Sequence, residues 1–286
     1  MSFIMEEKMI QVVLRTCDRH SLQSTRIVNK KECIIRCLNS ILKELEILDN
    51  KHLHIIDDNS SEDFKKILES MVGSLPYVSI NLLPARDQSQ LSSKKKSRYS
   101  VQVAYEYIYK LPNNDLVYIV EDDYLHFPGS IAEMIETWSY FSSTLETNIG
   151  IFPQDFNQLY YHPSFPHNPT YFQAAFIVPA RTRYYRTTWF THESFMLQSG
   201  VFKKYRNIFD KLLDIGGDDP ACWEGSTISS VWNKPDVRMF MPMGSLVIHM
   251  SAKKDIPFFI SKDQVIKLWE ENKTFWSLEQ DSQVLL

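Results

Sequence analysis

The chain has 286 residues, 44% of them hydrophobic and 23% charged, with a formal net charge of −4. That is the make-up of a soluble globular protein able to bury one large core or two abutting lobes, and nothing in the balance calls for nucleic acid or an anionic membrane as the main partner. No apolar stretch approaches the ~20 residues that span a bilayer, and the N-terminus lacks the apolar core of a signal peptide, so a cytoplasmic protein with no transmembrane segment is expected. Cys17, Cys33, Cys37 and Cys222 form neither a CxxC pair nor a zinc spacing, which points to reduced thiols.

The first 125 residues alternate between two periods. Residues 11–14 read as a short buried strand. Residues 32–48 carry Ile34, Ile35, Leu38, Ile41, Leu42 and Leu45 at helical spacing. A second strand at 53–56, a helix at 62–71 with a Ser-led cap, a third strand at 78–83, a helix at 99–109 and a fourth strand at 116–120 complete a β-α-β-α-β-α-β series. That order predicts a parallel sheet covered by helices on both faces. The second half is richer in proline and aromatics, with helices expected at 130–141 and 201–213 and short strands at 171–178, 194–197 and 246–249. With no repeat and no low-complexity linker, the chain reads as one domain of two abutting halves, 1–125 and 126–286.

Each of three predicted parallel strands ends in polar residues. Strand one delivers Arg15-Thr16-Cys17-Asp18-Arg19, strand two Asp57-Asp58-Asn59-Ser60, and strand four Glu121-Asp122-Asp123. Taken singly, each is also what a turn or helix cap looks like. Taken together, they converge on the crevice where open α/β sheets bind ligands, and three adjacent carboxylates there suggest a cation or a polar ligand. Neither GxGxxG nor GxxxxGK[ST] occurs, which argues against dinucleotide and P-loop enzymes. The basic run Lys94-Lys95-Lys96 with Arg98 is either a solvated helix start or a loop that closes over a ligand.

Thr16-Cys17-Asp18-Arg19, Asp57-Asp58-Asn59-Ser60-Ser61-Glu62, Lys96-Ser97-Arg98-Tyr99 and the DXD-like Glu121-Asp122-Asp123 resemble, in order, the nucleotide-sugar motifs of GT-A fold glycosyltransferases. The second and third are similar to those of family 2 glycosyltransferases, and the first and fourth also to those of the N-acetylglucosaminyltransferase I family. The resemblance covers about the first 125 residues. It implies a GT-A, Rossmann-like, mostly parallel mixed sheet flanked by helices, and a hexosyl- or N-acetylhexosaminyltransferase working on a nucleoside diphosphate sugar, most readily a UDP-sugar. Thr16 and Arg19 would join the base pocket, with Asp57 beside them and Asp58 accepting from the base. Asp122, next to Glu121, would face the ribose, Arg98 would approach the diphosphate, and Asp123 would hold Mn²⁺ or Mg²⁺ between the phosphates. His249 would return to that metal, as C-terminal histidines do in many GT-A enzymes.

A second acidic group follows at Gly216-Gly217-Asp218-Asp219-Pro220, with Trp223-Glu224 behind it. It is either a helix cap or the general base that inverting glycosyl transfer needs to take the acceptor's proton, and Asp219 is preferred over Asp218 and Glu224. Thr191-His192-Glu193-Ser194-Phe195 could present Glu193, with Trp189, to a glycan or glycoconjugate acceptor. A sugar nucleotidyltransferase and a catalytically silent nucleotide- or carbohydrate-binding protein are the rival readings. The former lacks its usual Gly-rich N-terminal loop here.

Overall fold

Apolar runs at 12–14 and 116–120 have no polar face to turn to solvent, so they can form strands only where helices cover both sides. The computed structural model, which describes residues 8–19, 29–85, 93–155, 175–189, 191–213, 227–250 and 259–277, places them side by side at the middle of a sheet. In chain order β1 (Ile10–Thr16) leads through α1 (Lys30–Glu46) to β2 (Lys51–Asp57), through α2 (Glu62–Val72) to β3 (Val78–Leu82), and through α3 (Ser93–Ile108) to β4 (Leu116–Glu121). Next come β5 (Tyr124–His126), α4 (Ser130–Leu145), β6 (Asn148–Ile151), β7 (Ile177–Pro179), β8 (Tyr184–Thr188) and β9 (Phe195–Gln198). The helical pieces α5 (Ser199–Lys204), α6 (Arg206–Phe209), a 3-10 turn (Asp210–Leu213) and α7 (Ser229–Trp232) precede β10 (Val237–Pro242), β11 (Val247–His249) and α8 (Lys262–Glu271).

The main sheet has nine strands in the order β3-β2-β1-β4-β9-β6-β10-β8-β7. Its pairings make β9 and β8 run against the other strands, so the sheet is mixed and mostly parallel. A small second sheet pairs β5 with β11. Period-two alternation divides the core cleanly. Val12, Leu14, Tyr118 and Val120 face α1, α2 and α4 through Ile34, Leu38, Phe64, Met134 and Phe141. Val13, Val117 and Ile119 face the opposite layer of Ala104, Tyr105, Ile108, Phe202 and Phe209.

Helix starts follow local chemistry. Asn29 accepts from the backbone N–H groups of Lys31 and Glu32, and Ser61 from that of Phe64. The helix expected at 201–213 is broken at Tyr205, whose φ of −107° and ψ of 23° lie outside the helical region. The strand expected at 171–178 appears as β7 in its described part, and residues 171–174 lie outside the described residues. The strands β5, β6, β8 and β10 and the helices α7 and α8 had no counterpart in the sequence reading. Among the described residues, no helix is long and apolar enough to cross a membrane.

The chain leaves β1 toward β2 and β3 on one side, and β4 then falls on the other side of β1. The carboxyl ends of β1 and β4 therefore flank the point where strand order reverses. At such a point the connecting helices diverge and leave a crevice.

Candidate functional site

Thr16, Asp58 and Asp122, from the ends of three strands, line one cleft of about 120 Å³ together with Arg15, Lys30 and Glu121. That space holds a ring-sized fragment of a ligand, being smaller than the ~300–1,000 Å³ of a whole small-molecule site. Asp57 does not line it. Its carboxylate is fully buried, accepting from the Thr16 hydroxyl at 3.0 Å and from the Ser60 backbone N–H at 3.0 Å. With both oxygens engaged, Asp57 ties the end of β1 to the turn after β2. Asp18 does related work, accepting from the Ser61 backbone N–H at 2.8 Å. Arg19 is exposed and donates to the Ser60 carbonyl at 3.4 Å.

The acidic triplet is split among three environments. Asp122 points into the cleft, accepting from the Cys17 backbone N–H at 2.9 Å and from the Lys30 ammonium. Burial pushes its carboxyl above the usual range, with Asp123 adding to that push, while Lys30 and the Cys17 N–H pull it back. Burial works against the charge on Lys30 too, but Asp122 and then Asp123 outweigh it and hold the ammonium above its ordinary value. Glu121, the most exposed of the three, pairs with Arg15 at 3.3 Å.

Asp123 turns the other way. Pairing of β5 with β11 sets His249 opposite Tyr124, whose ring stacks on the imidazole at 4.7 Å between centroids. His249 Nε2 then lies 3.2 Å from Asp123 Oδ2. Two ligands on adjacent corners of an octahedral cation with bonds of ~2.1 Å are ~3.0 Å apart, so the pair fits a small divalent ion. An oxygen and an imidazole nitrogen suit Mn²⁺ better than Mg²⁺. No group of three or more His, Cys, Asp or Glu side chains arranged for a metal occurs among the described residues. The remaining corners would thus fall to ligand oxygens and water.

Glu193, expected to face an acceptor, is buried instead between two cations. It accepts from Arg98 at 3.0 Å and from Arg15. Arg15 stands among the polar residues expected at the end of β1, whereas Lys30 and this pinning of Glu193 were not expected; the first position of the helix that follows β1 was the available signal for Lys30. Asp218, Asp219, Trp223 and Glu224 lie outside the described residues.

No protein-family model and no curated protein matches the chain. Among solved structures it is similar to residues 1–349 of S. aureus TarS, at 11% identity over 92% of this chain and 64% of that one, with a TM-score of 0.47. It is also similar to the mannosyltransferase PcManGT from Pyrobaculum calidifontis in complex with GDP-Man and Mn²⁺, at 13% identity over 86% and 57%, TM-score 0.49. A third similar structure is 4-diphosphocytidyl-2C-methyl-D-erythritol synthase from Anaerococcus prevotii, at 9% identity over 93% and 97%, TM-score 0.42. The chain spans less than two thirds of the length of the first two. All three overlaps are loose, and none identifies a donor or an acceptor for this chain.

Proposed function

We propose that this protein is a GT-A type glycosyltransferase that moves a sugar from a nucleoside diphosphate sugar, in first place a UDP-sugar, to a hydroxyl of a glycan or glycoconjugate. The observation that carries this reading is the Asp123–His249 pair, 3.2 Å apart, beside a cleft at the strand-order reversal that is lined by Asp58 and Asp122. Asp58 accepts from the base and Thr16 and Arg19 flank it. Asp122, steadied by Lys30, accepts from the ribose hydroxyls. Asp123 and His249 would hold a divalent cation, which supplies positive charge to the diphosphate as it leaves. Arg98 adds charge from α3. The acceptor's proton goes to a carboxylate of the 218–224 segment, Asp219 in first place, and attack opposite the leaving group inverts the anomeric centre.

The test is a thermal-shift panel of nucleotide sugars with Mn²⁺ and with EDTA. A donor present at 100 times its dissociation constant raises stability by about 2.7 kcal/mol. That gain is expected with Mn²⁺, and in Asp123→Asn and His249→Ala it falls toward the EDTA value. Equal binding with Mn²⁺ and EDTA in the unmutated protein removes the metal from the site. Asp219→Asn should lower kcat by ~10²–10⁴-fold while leaving donor affinity intact. Release of UDP on adding acceptor supports a transferase; release of inorganic diphosphate during nucleotide-sugar synthesis would identify a nucleotidyltransferase instead.

A further inference from the structure

Arg15 and Lys30, which line the cleft, and Arg98 beside them each have a carboxylate partner. Lys30 pairs with Asp122, Arg15 with Glu121 and Glu193, and Arg98 with Glu193. Glu193 is the joint of this arrangement. It reaches Arg15 across 178 positions of sequence and Arg98 across 95, and its side chain is only 5% exposed. Two guanidiniums brought together in a poorly hydrated place repel each other, and a buried carboxylate between them removes most of that cost. It also cancels the positive charge that an incoming anion would seek.

We propose that Glu193 is a resident counter-anion. It holds the Arg15 and Arg98 guanidiniums together beside the cleft and gives them up, in part, to the diphosphate of the donor when it enters. The inference rests on the nucleotide-sugar reading of the cleft for the identity of the anion, and on the two ion pairs for the latch itself. A guanidinium carries five N–H donors in a planar fork that matches phosphate oxygens, so each arginine can turn from one anion to the other without losing its hydrogen bonds. Glu193 is thus a positioning residue that weakens binding of stray polyanions. Only a ligand that also satisfies the base and ribose positions recovers the energy of opening the latch.

A purely structural role and a latch differ in sign. Glu193→Gln keeps the shape and removes the charge, leaving two guanidiniums with one anion fewer. Isothermal titration with inorganic diphosphate, in EDTA at low ionic strength, should then show binding roughly ten-fold tighter than in the unmutated protein. The gain should shrink at 0.5 M salt as screening shortens the reach of the charge, and affinity for uridine should not change. Glu193→Asp should restore the weaker diphosphate binding. A folded Glu193→Gln protein whose diphosphate affinity is equal or weaker overturns the proposal. Should the Gln variant not fold, Arg98→Gln is the substitute, and it must lower diphosphate affinity roughly ten-fold; unchanged affinity overturns the latch as well. Failure of the donor reading is separable, because tighter diphosphate binding by Glu193→Gln in a protein that binds no nucleotide with Mn²⁺ keeps the latch and removes the donor.

Discussion

Lys30 and Asp122 are both largely buried, and each is tolerable only because of the other. Removing one partner leaves an uncompensated charge, which costs several kcal/mol where the pair itself contributes little net stability. Lys30→Met should therefore destabilise the fold by about 3 kcal/mol in urea denaturation. The double variant Lys30→Met/Asp122→Asn should recover much of that loss, and a double variant no better than the single one would show that packing around Lys30, not charge, is at stake. His126 gives the opposite kind of case. It is 2% exposed, with the Tyr118 hydroxyl 2.9 Å from Nε2 and Ser40 Oγ 3.3 Å from Nδ1. Burial lowers its pKa to about 3. Between that value and the unfolded ~6.5 the folded chain binds fewer protons than the unfolded one, so the stability His126 contributes is fully present above pH ~6.5 and is lost as pH falls toward 3. At pH 5 its share of the loss is about 2 kcal/mol. Comparing urea midpoints at pH 7 and pH 5 in the native protein and in His126→Gln measures it, since the variant should show a smaller drop.

At the scale of elements, α4 shows one helix completing another. Its N-cap is Gly129, at φ 82°, which has no side chain to offer the first backbone N–H groups. Glu44, on α1, supplies the acceptor instead, taking hydrogen bonds from Gly129 N–H at 2.7 Å, Ile131 N–H at 2.9 Å and the Ser130 hydroxyl at 3.3 Å. Burial raises the Glu44 pKa, and those same donors oppose the rise. Glu44→Ala removes a cap and orphans buried donors, so a loss of about 2 kcal/mol is expected by chemical denaturation. A loss below ~0.5 kcal/mol would mean that water replaces the carboxylate.

What the sequence reveals about these elements depends on how local their cause is. Buried parallel strands announce themselves as apolar runs, and β1 and β4 were legible for that reason. Short strands such as β6, with four residues, and β8, whose Tyr-Tyr-Arg-Thr-Thr is half polar, owe their conformation to the neighbours they pair with. For α8 a local signal was present and went unread: Ser261 and Gln264 form a capping box. Asp58 and Asp122 in the cleft, and Asp123 beside it, were visible as strand ends. The Arg15–Glu193 contact was not, since no local pattern encodes a pairing 178 positions apart.

At the scale of the whole molecule, the decisive feature is the placement of β9. Residues Phe195–Gln198 run antiparallel to β4 on one side and to β6 on the other. Among the described residues, β9 is the strand that joins β3-β2-β1-β4 to β6-β10-β8-β7. During synthesis β4 and β6 are therefore made long before the strand that must lie between them. Until it arrives, the buried run Leu116, Val117, Tyr118 and Ile119 presents an open, apolar sheet edge to the surroundings. A fragment ending at residue 190 should accordingly retain far-UV signal from β1 to β4 and their helices yet sediment as aggregate, whereas one ending at 213 should be less prone to do so. The late strand makes this chain's solubility a matter of timing on the ribosome, and slow codons between 121 and 195 would lengthen the interval in which two nascent chains can join edge to edge.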